Sequence, residues 1–185
     1  MVNLTKPLLI LDVDETLLFA TKIPLEHTSD FQVGPYHVYV RPFLDELLQR
    51  SAELFDLAVW SSSGEDYLNG VLKHAIPAEL SLKFVWSRER CVRRYDPEKQ
   101  QFYFVKDLKK VKRLGYDLER VLIADDTPQK LERNYGNAVY VKPFFGEPND
   151  DELIHLTRYL SSLLGNESYR GIEKRGWRRK LDNMI

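Results

Sequence analysis

The chain has 185 residues, 43% hydrophobic and 12% aromatic, which is enough apolar material for one compact core and leaves little room for a second independent domain. Its 27 Lys and Arg balance 28 Asp and Glu, so a net charge of -1 supplies no general attraction to nucleic acid or to a membrane surface. A single cysteine, Cys91, excludes an internal disulfide framework.

In chain order, Leu8 to Leu11 is a continuous apolar run ending on Asp12, and it reads as a strand buried on both faces. The run is far too short to span a bilayer. It also lacks the cationic start and the cleavage site of a signal peptide, so a soluble cytoplasmic protein is expected, or a nuclear one in a eukaryotic cell. A polar, turn-rich stretch follows through Thr28-Ser29-Asp30. Residues 36–40 predict a strand leading into Arg41-Pro42, with Pro42 at the start of a helix whose apolar stripe is Phe43, Leu44, Leu47 and Leu48. Residues 55–60 read as another buried strand, stopping at Ser61-Ser62-Ser63-Gly64. A helix is expected over 65–74, with Tyr67, Leu68, Val71 and Leu72 facing inward.

Residues 83–86 form a short predicted strand. Residues 91–95 and 102–105 flank the polar turn 96–100 and predict a hairpin. A third buried strand, 120–124, again ends at carboxylates, Asp125 and Asp126, and a fourth is expected over 138–141. A helix over 150–164 closes the domain, with Leu153, Leu156 and Leu160 inward. Strands alternating with helices predict an α/β domain with a mostly parallel sheet covered on both faces. The domain is expected over residues 1–165. A basic tail, 166–185, follows as a solvated or partly packed helix, with Trp177 as an aromatic anchor among its charges.

Ligands of an open parallel sheet bind outside the carboxyl ends of its strands. Here three predicted strands end in reactive groups: Asp12 with Asp14, Ser61, and Asp125 with Asp126. Lys106 follows the hairpin. Four carboxylates, a hydroxyl and an ammonium suit phosphoryl transfer, in which a protein mainly positions and neutralises charge. Carboxylates converging on one point also demand a cation, and an all-oxygen donor set selects Mg2+. Taken one at a time, each residue also has an ordinary structural explanation. Asp12-x-Asp14 could be a solvated turn, Ser61 a helix cap and Lys106 a surface lysine. Together, on the right strands, they favour catalysis. The four histidines lack ligand spacing, so no zinc site is expected.

Asp12-Val13-Asp14-Glu15-Thr16 resembles the first motif of the haloacid dehalogenase (HAD) superfamily, most of whose members have Gly before the Thr. Glu15 in that place resembles a narrower branch, the FCP/SCP-type or NLI-interacting-factor-like phosphatases. Further segments are similar in the same order: Arg41-Pro42, Trp60-Ser61-Ser62-Ser63, Arg88 with Cys91, Val105-Lys106-Asp107-Leu108, and Ile123-Ala124-Asp125-Asp126-Thr127-Pro128. Over residues 8–164 the resemblance implies a three-layer HAD-like Rossmannoid fold with a small β-hairpin insertion and no large cap.

It also implies roles. Asp12 would be the nucleophile and a metal ligand. Asp14 would be the general acid and base, with its backbone carbonyl on the metal. Ser61 would bond a phosphate oxygen, and Lys106 would neutralise charge. Asp126 would be a direct Mg2+ ligand, Asp125 would either ligate the metal or hold the ligands from behind, and Thr16, Ser62, Tyr67 and Arg88 would contact substrate. The expected substrate is phosphoserine or phosphothreonine in a protein or peptide, because the short inter-motif segments leave an open site. Phe19, Phe31, Tyr36 and Tyr39 would either form an apolar shelf beside it or simply pack the hairpin. The alternatives are small phosphate esters, a nucleic-acid end contacted by the basic tail, or a non-catalytic phosphoprotein-docking module. Neither oligomeric state nor membrane association is indicated.

Overall fold

The computed structural model describes residues 6–182. In chain order its elements are β1 (Leu8–Leu11), β2 (Leu18–Thr21), β3 (Phe31–Val33), β4 (Tyr36–Val40), α1 (Leu44–Leu54), β5 (Asp56–Trp60), α2 (Glu65–Ala75) and β6 (Leu82–Trp86). Then come β7 (Val92–Asp96), β8 (Gln101–Val105), α3 (Lys109–Lys112), β9 (Val121–Asp125), β10 (Ala138–Tyr140), α4 (Glu152–Ser162) and α5 (Trp177–Asp182).

Five strands build one sheet in the order β10-β9-β1-β5-β6, and every pairing in it is parallel. β1 lies at its centre with all four residues buried, as an apolar run flanked on both sides must. Side-chain alternation divides the core. Leu9, Leu11, Leu57, Val59, Leu122 and Ala124 face α1, α2 and α4 on one side. Leu8, Ile10, Ala58, Trp60, Val121 and Ile123 meet Leu108, Val111 and Leu131 on the other. The sheet is thus the middle of three layers, as expected.

Two smaller sheets stand outside it. β2, β4 and β3 pair antiparallel in that order, and β7 and β8 form the predicted hairpin. The expected helix at Pro42 starts later, at Leu44. Phe43 takes a left-handed conformation (φ 66°) between them, so Pro42 lies outside the helix. β2 and β3 were not anticipated, because their residues are few and mostly half-buried and show no sustained alternation.

The basic segment after residue 165 folds back onto the domain. Tyr169, Trp177 and Leu181 join the core, and the Trp177 ring stacks on Tyr159 with centroids 5.1 Å apart. Its indole N–H donates to the Tyr140 carbonyl at 2.7 Å. Asn183 to Ile185, the end of the expected tail, lie outside the described residues. Among those described, no helix is long and apolar enough to cross a membrane.

One buried ion pair ties these parts together behind the strand ends. Arg41, 0% exposed, grips the Asp150 carboxylate with two donors at 2.7 and 3.0 Å. Its third donor bonds the Thr16 carbonyl at 3.0 Å, and Phe144 covers the guanidinium. Removing one partner of such a pair strands the other charge without water. Arg41→Met is therefore expected to cost about 3–5 kcal/mol in urea unfolding. Pairing it with Asp150→Leu should return part of that loss. A single-variant loss below about 1 kcal/mol would show that the pair does not tie these parts together.

Candidate active site

The first predicted strand delivers two carboxylates to opposite sides of one turn. Asp12 continues β1, its N–H bonding the Ala124 carbonyl of β9 at 3.0 Å. The chain then turns sharply. Thr16, Leu17 and Leu18 all donate to the Val13 carbonyl, and Glu15 sits at φ 59°. That left-handed conformation favours glycine, which accounts for the Gly at this point in the superfamily motif that the segment resembles.

Asp12 points into the protein. Lys106 Nζ bridges Asp12 Oδ1 and Asp125 Oδ2, each at 2.6 Å, with all three residues almost wholly buried. The backbone around Lys106 is fixed from the segment after β9. Its N–H donates to the Lys130 carbonyl at 2.8 Å, and Asn134 brackets the motif through the Lys106 carbonyl and the Leu108 N–H. Asp126 stands beside this group, its Oδ2 accepting from Thr127 Oγ1 at 2.9 Å. Oxygens of Asp12, Asp125 and Asp126 lie within 4.8 Å of one another. Three carboxylates aimed at one point are a donor set for a hard divalent cation. In this structure a positive charge, the Lys130 ammonium, stands at their convergence, 2.9 Å from Asp12 Oδ2 and 3.1 Å from Asp126 Oδ1. The residues therefore fit a metal ion.

The Asp14 carboxylate faces the other way, into a cleft of about 480 Å3. Tyr67 donates to Oδ1 at 2.6 Å and Ser63 to Oδ2 at 2.7 Å, while the Ser61 hydroxyl lies 3.4 Å from Oδ2. Asp14 is thus outside the three-carboxylate group, and only its backbone carbonyl is left for the metal role the resemblance implies. Ser61 is buried beneath the lining residues Ser62 and Ser63, its oxygen accepting from the Ser63 N–H at 2.9 Å. Arg88 at the rim donates to the Ser62 carbonyl and lies over the Phe104 ring.

One expected substrate contact is corrected. Thr16 is buried and is not among the residues that line the cleft. Its carbonyl receives Arg41, and its hydroxyl lies 3.4 Å from Asp12 Oδ2, so it orients the turn and the carboxylate. Of the four aromatics weighed as a shelf, only Tyr36 lines the cleft, edge-on to Tyr67. Phe19 packs on Phe145, Phe31 stacks on His74, and Tyr39 is buried. Cys91 is half-buried with its sulfur toward the Ser61 carbonyl; burial pushes its thiol pKa up, which suits packing over attack. Lys130, Ser63 and Asn134 were missed. Lys130 had a legible signal, since it follows Asp126 by four residues at a helix-like start.

The electrostatics separate the carboxylates. Burial by itself would raise Asp12, but Lys106 and then Lys130 overcome it and hold its carboxyl far below the ordinary range. Burial and then the Asp12 charge push Asp125 up to about 6, against Lys106 and Lys130. Tyr67 is raised by burial and by Asp14, so its phenol stays a proton donor.

Comparison with known proteins gives one consistent result. Residues 7–170 match the family described as NLI interacting factor-like phosphatase. The CTD small phosphatase-like protein 2 of Dictyostelium discoideum is 31% identical over 88% of this chain and 28% of its own length. The human carboxy-terminal domain RNA polymerase II polypeptide A small phosphatase 1 is 35% identical over 83% of this chain and 58% of its own. The chain thus spans about half or less of these relatives. The structure of fission yeast RNA polymerase II CTD phosphatase Fcp1 bound to beryllium fluoride superposes with a TM-score of 0.56 at 21% identity, covering 97% of this chain and 51% of that one. That likeness establishes the three-layer fold.

Glu15, on the cleft wall, offers a test of this charge arrangement. Burial, then Asp14 and Asp126, raise its carboxyl from 4.5 to about 7. A carboxyl raised on folding stabilises the fold fully below its unfolded pKa, and that contribution fades as pH rises through the folded value. In metal-free buffer, the Tm of Glu15→Gln relative to wild type should therefore be higher at pH 8 than at pH 4.5. A difference independent of pH would contradict the assignment.

Proposed function

The chain belongs to the NLI interacting factor-like phosphatase family, and from that membership we propose that it hydrolyses phosphate monoesters through a phosphoaspartyl intermediate on Asp12. The observation that carries the reading is the division between the two aspartates. Asp12 is locked in its ionised form between ammonium groups, while Asp14, 2.6 to 2.7 Å from two hydroxyl donors, faces the cleft.

In the first half-reaction an Asp12 oxygen attacks phosphorus. The bond to the leaving alkoxide breaks as Asp14 delivers a proton to it, which leaves an acyl phosphate on Asp12. In the second, water attacks the same phosphorus while Asp14 takes its proton. The C–O bond of Asp12 stays intact, and inorganic phosphate leaves. Ser63 and Tyr67 hold the Asp14 carboxylate still through both transfers, and Lys106 offsets part of the charge of Asp12 and Asp125. Asp12, Asp125 and Asp126, with the Asp14 carbonyl, would hold Mg2+, which when bound offsets the charge of the phosphate oxygens. Ser62 and Ser63 line the cleft above the buried Ser61, whose hydroxyl would bond a phosphate oxygen.

The walls of the cleft support a substrate class. Between β1 and β5 the chain inserts a small sheet and α1, and between β6 and Lys106 a hairpin. Among the described residues no helical lid closes over the cleft. Tyr36, Tyr67, Phe104 and Arg88 line an open trough. That shape suits phosphoserine or phosphothreonine in an extended peptide better than a small ester needing enclosure, and Arg88 can pair with an acidic neighbour.

Phosphate release from a phosphoserine peptide, with and without Mg2+, tests the reading. Asp12→Asn is expected to lose at least about 1000-fold in kcat, and Asp14→Asn about 100- to 10,000-fold with the fold intact by circular dichroism. If Asp12→Asn kept more than about a tenth of wild-type activity, Asp12 would not be the nucleophile.

A further inference from the structure

Asp12 has no open face. Lys106 engages one oxygen, and Lys130 covers the other at 2.9 Å, with the residue only 1% exposed. A carboxylate attacks phosphorus through an oxygen that the substrate can reach, so this arrangement is a closed one.

The two lysines are not equivalent. Lys106 is wholly buried and pinned between two carboxylates. The Lys130 side chain is 16% exposed, and the residue lines the cleft. Its backbone is held, its carbonyl by the Lys106 N–H and its own N–H by the Thr127 carbonyl at 3.0 Å. Only the flexible four-carbon stem is free to swing. Its ammonium touches Asp12, Asp126 and, at 3.6 Å, Asp125, the same three carboxylates that form the candidate metal seat.

Charge forbids sharing that seat. Three carboxylates with Lys106 carry a net formal charge of -2, which one divalent cation neutralises. Lys130 left in place would put an ammonium in contact with that cation.

We propose that Lys130 is a tethered stand-in for the divalent cation. In the metal-free protein it fills the cation's seat and covers Asp12, and metal binding drives its ammonium out toward the mouth of the cleft. Holding and uncovering are then one event. Lys130 lowers the apparent metal affinity because it must be displaced, and it keeps the carboxylate cluster folded when metal is scarce. Only the statement that the uncovered form is the active one rests on the phosphatase reading.

The test uses the whole chain and Mg2+ alone. Amine labelling of wild-type protein, read by mass spectrometry at pH 8, should modify Lys130 slowly in EDTA and at least about fivefold faster in saturating Mg2+, as expected when a buried ion pair is broken. By calorimetry, Lys130→Met should bind Mg2+ about tenfold more tightly than wild type, having no competing ammonium to expel. Lys130→Arg, which keeps the charge, should not gain that affinity. Labelling unchanged or slowed by Mg2+ would overturn the proposal, as would equal or weaker binding by Lys130→Met. Neither readout requires turnover. Faster labelling in a protein that hydrolyses no phosphate ester would uphold the displacement and refute the phosphatase function.

Discussion

Four carboxylates at the ends of two adjacent strands would repel one another and disfavour burial unless positive charge stood among them. Lys106 meets that condition, 2.6 Å from both Asp12 and Asp125 and out of contact with water. The surrounding architecture keeps it there: a hairpin carries it to the strand ends, and Asn134 fixes its backbone. The partition is unequal. Asp12 has an ammonium on each oxygen and stays ionised, whereas Asp125 also feels the Asp12 charge and is pushed toward protonation. Position relative to two lysines, more than residue type, separates the chemistry of these carboxylates.

The same economy governs the other side of the turn. Asp14 is two residues from Asp12 but faces hydroxyl donors on the segment entering α2. One tight turn, with a left-handed Glu15 at its apex, therefore presents one carboxylate to cations and the next to neutral donors. That arrangement suits a nucleophile beside a proton carrier.

Much of this was legible in the sequence because buried parallel strands are written as uninterrupted apolar runs. Leu8 to Leu11, residues 55–60 and residues 120–124 each announced both the strand and the reactive group at its end. What escaped notice depends on tertiary context. β2 and β3 are short and partly exposed, so no periodicity marks them. Thr16 belongs to a motif whose members resemble ligand contacts, yet the turn that orients Asp12 buries it. Lys130 follows Asp126 by four residues, a spacing that signals one contact, but only the strand end places it against three carboxylates. Trp177, read as an anchor among charges, is a core residue because α4 offers Tyr159 to stack on. Sequence patterns report burial along one element well, and they report poorly what a second element brings to it.

The Arg41–Asp150 pair has a further consequence, for the order in which the chain assembles. Its partners are 109 residues apart, and the central strand β1 likewise waits for β9 on one side. Contacts so distant in sequence form slowly and late. On a ribosome, Arg41 emerges long before the carboxylate that will neutralise it, and the Asp12 turn has no rear support until then. The turn that carries Asp12 and Asp14 therefore gains the full support of the Arg41 guanidinium only once Asp150 has been made.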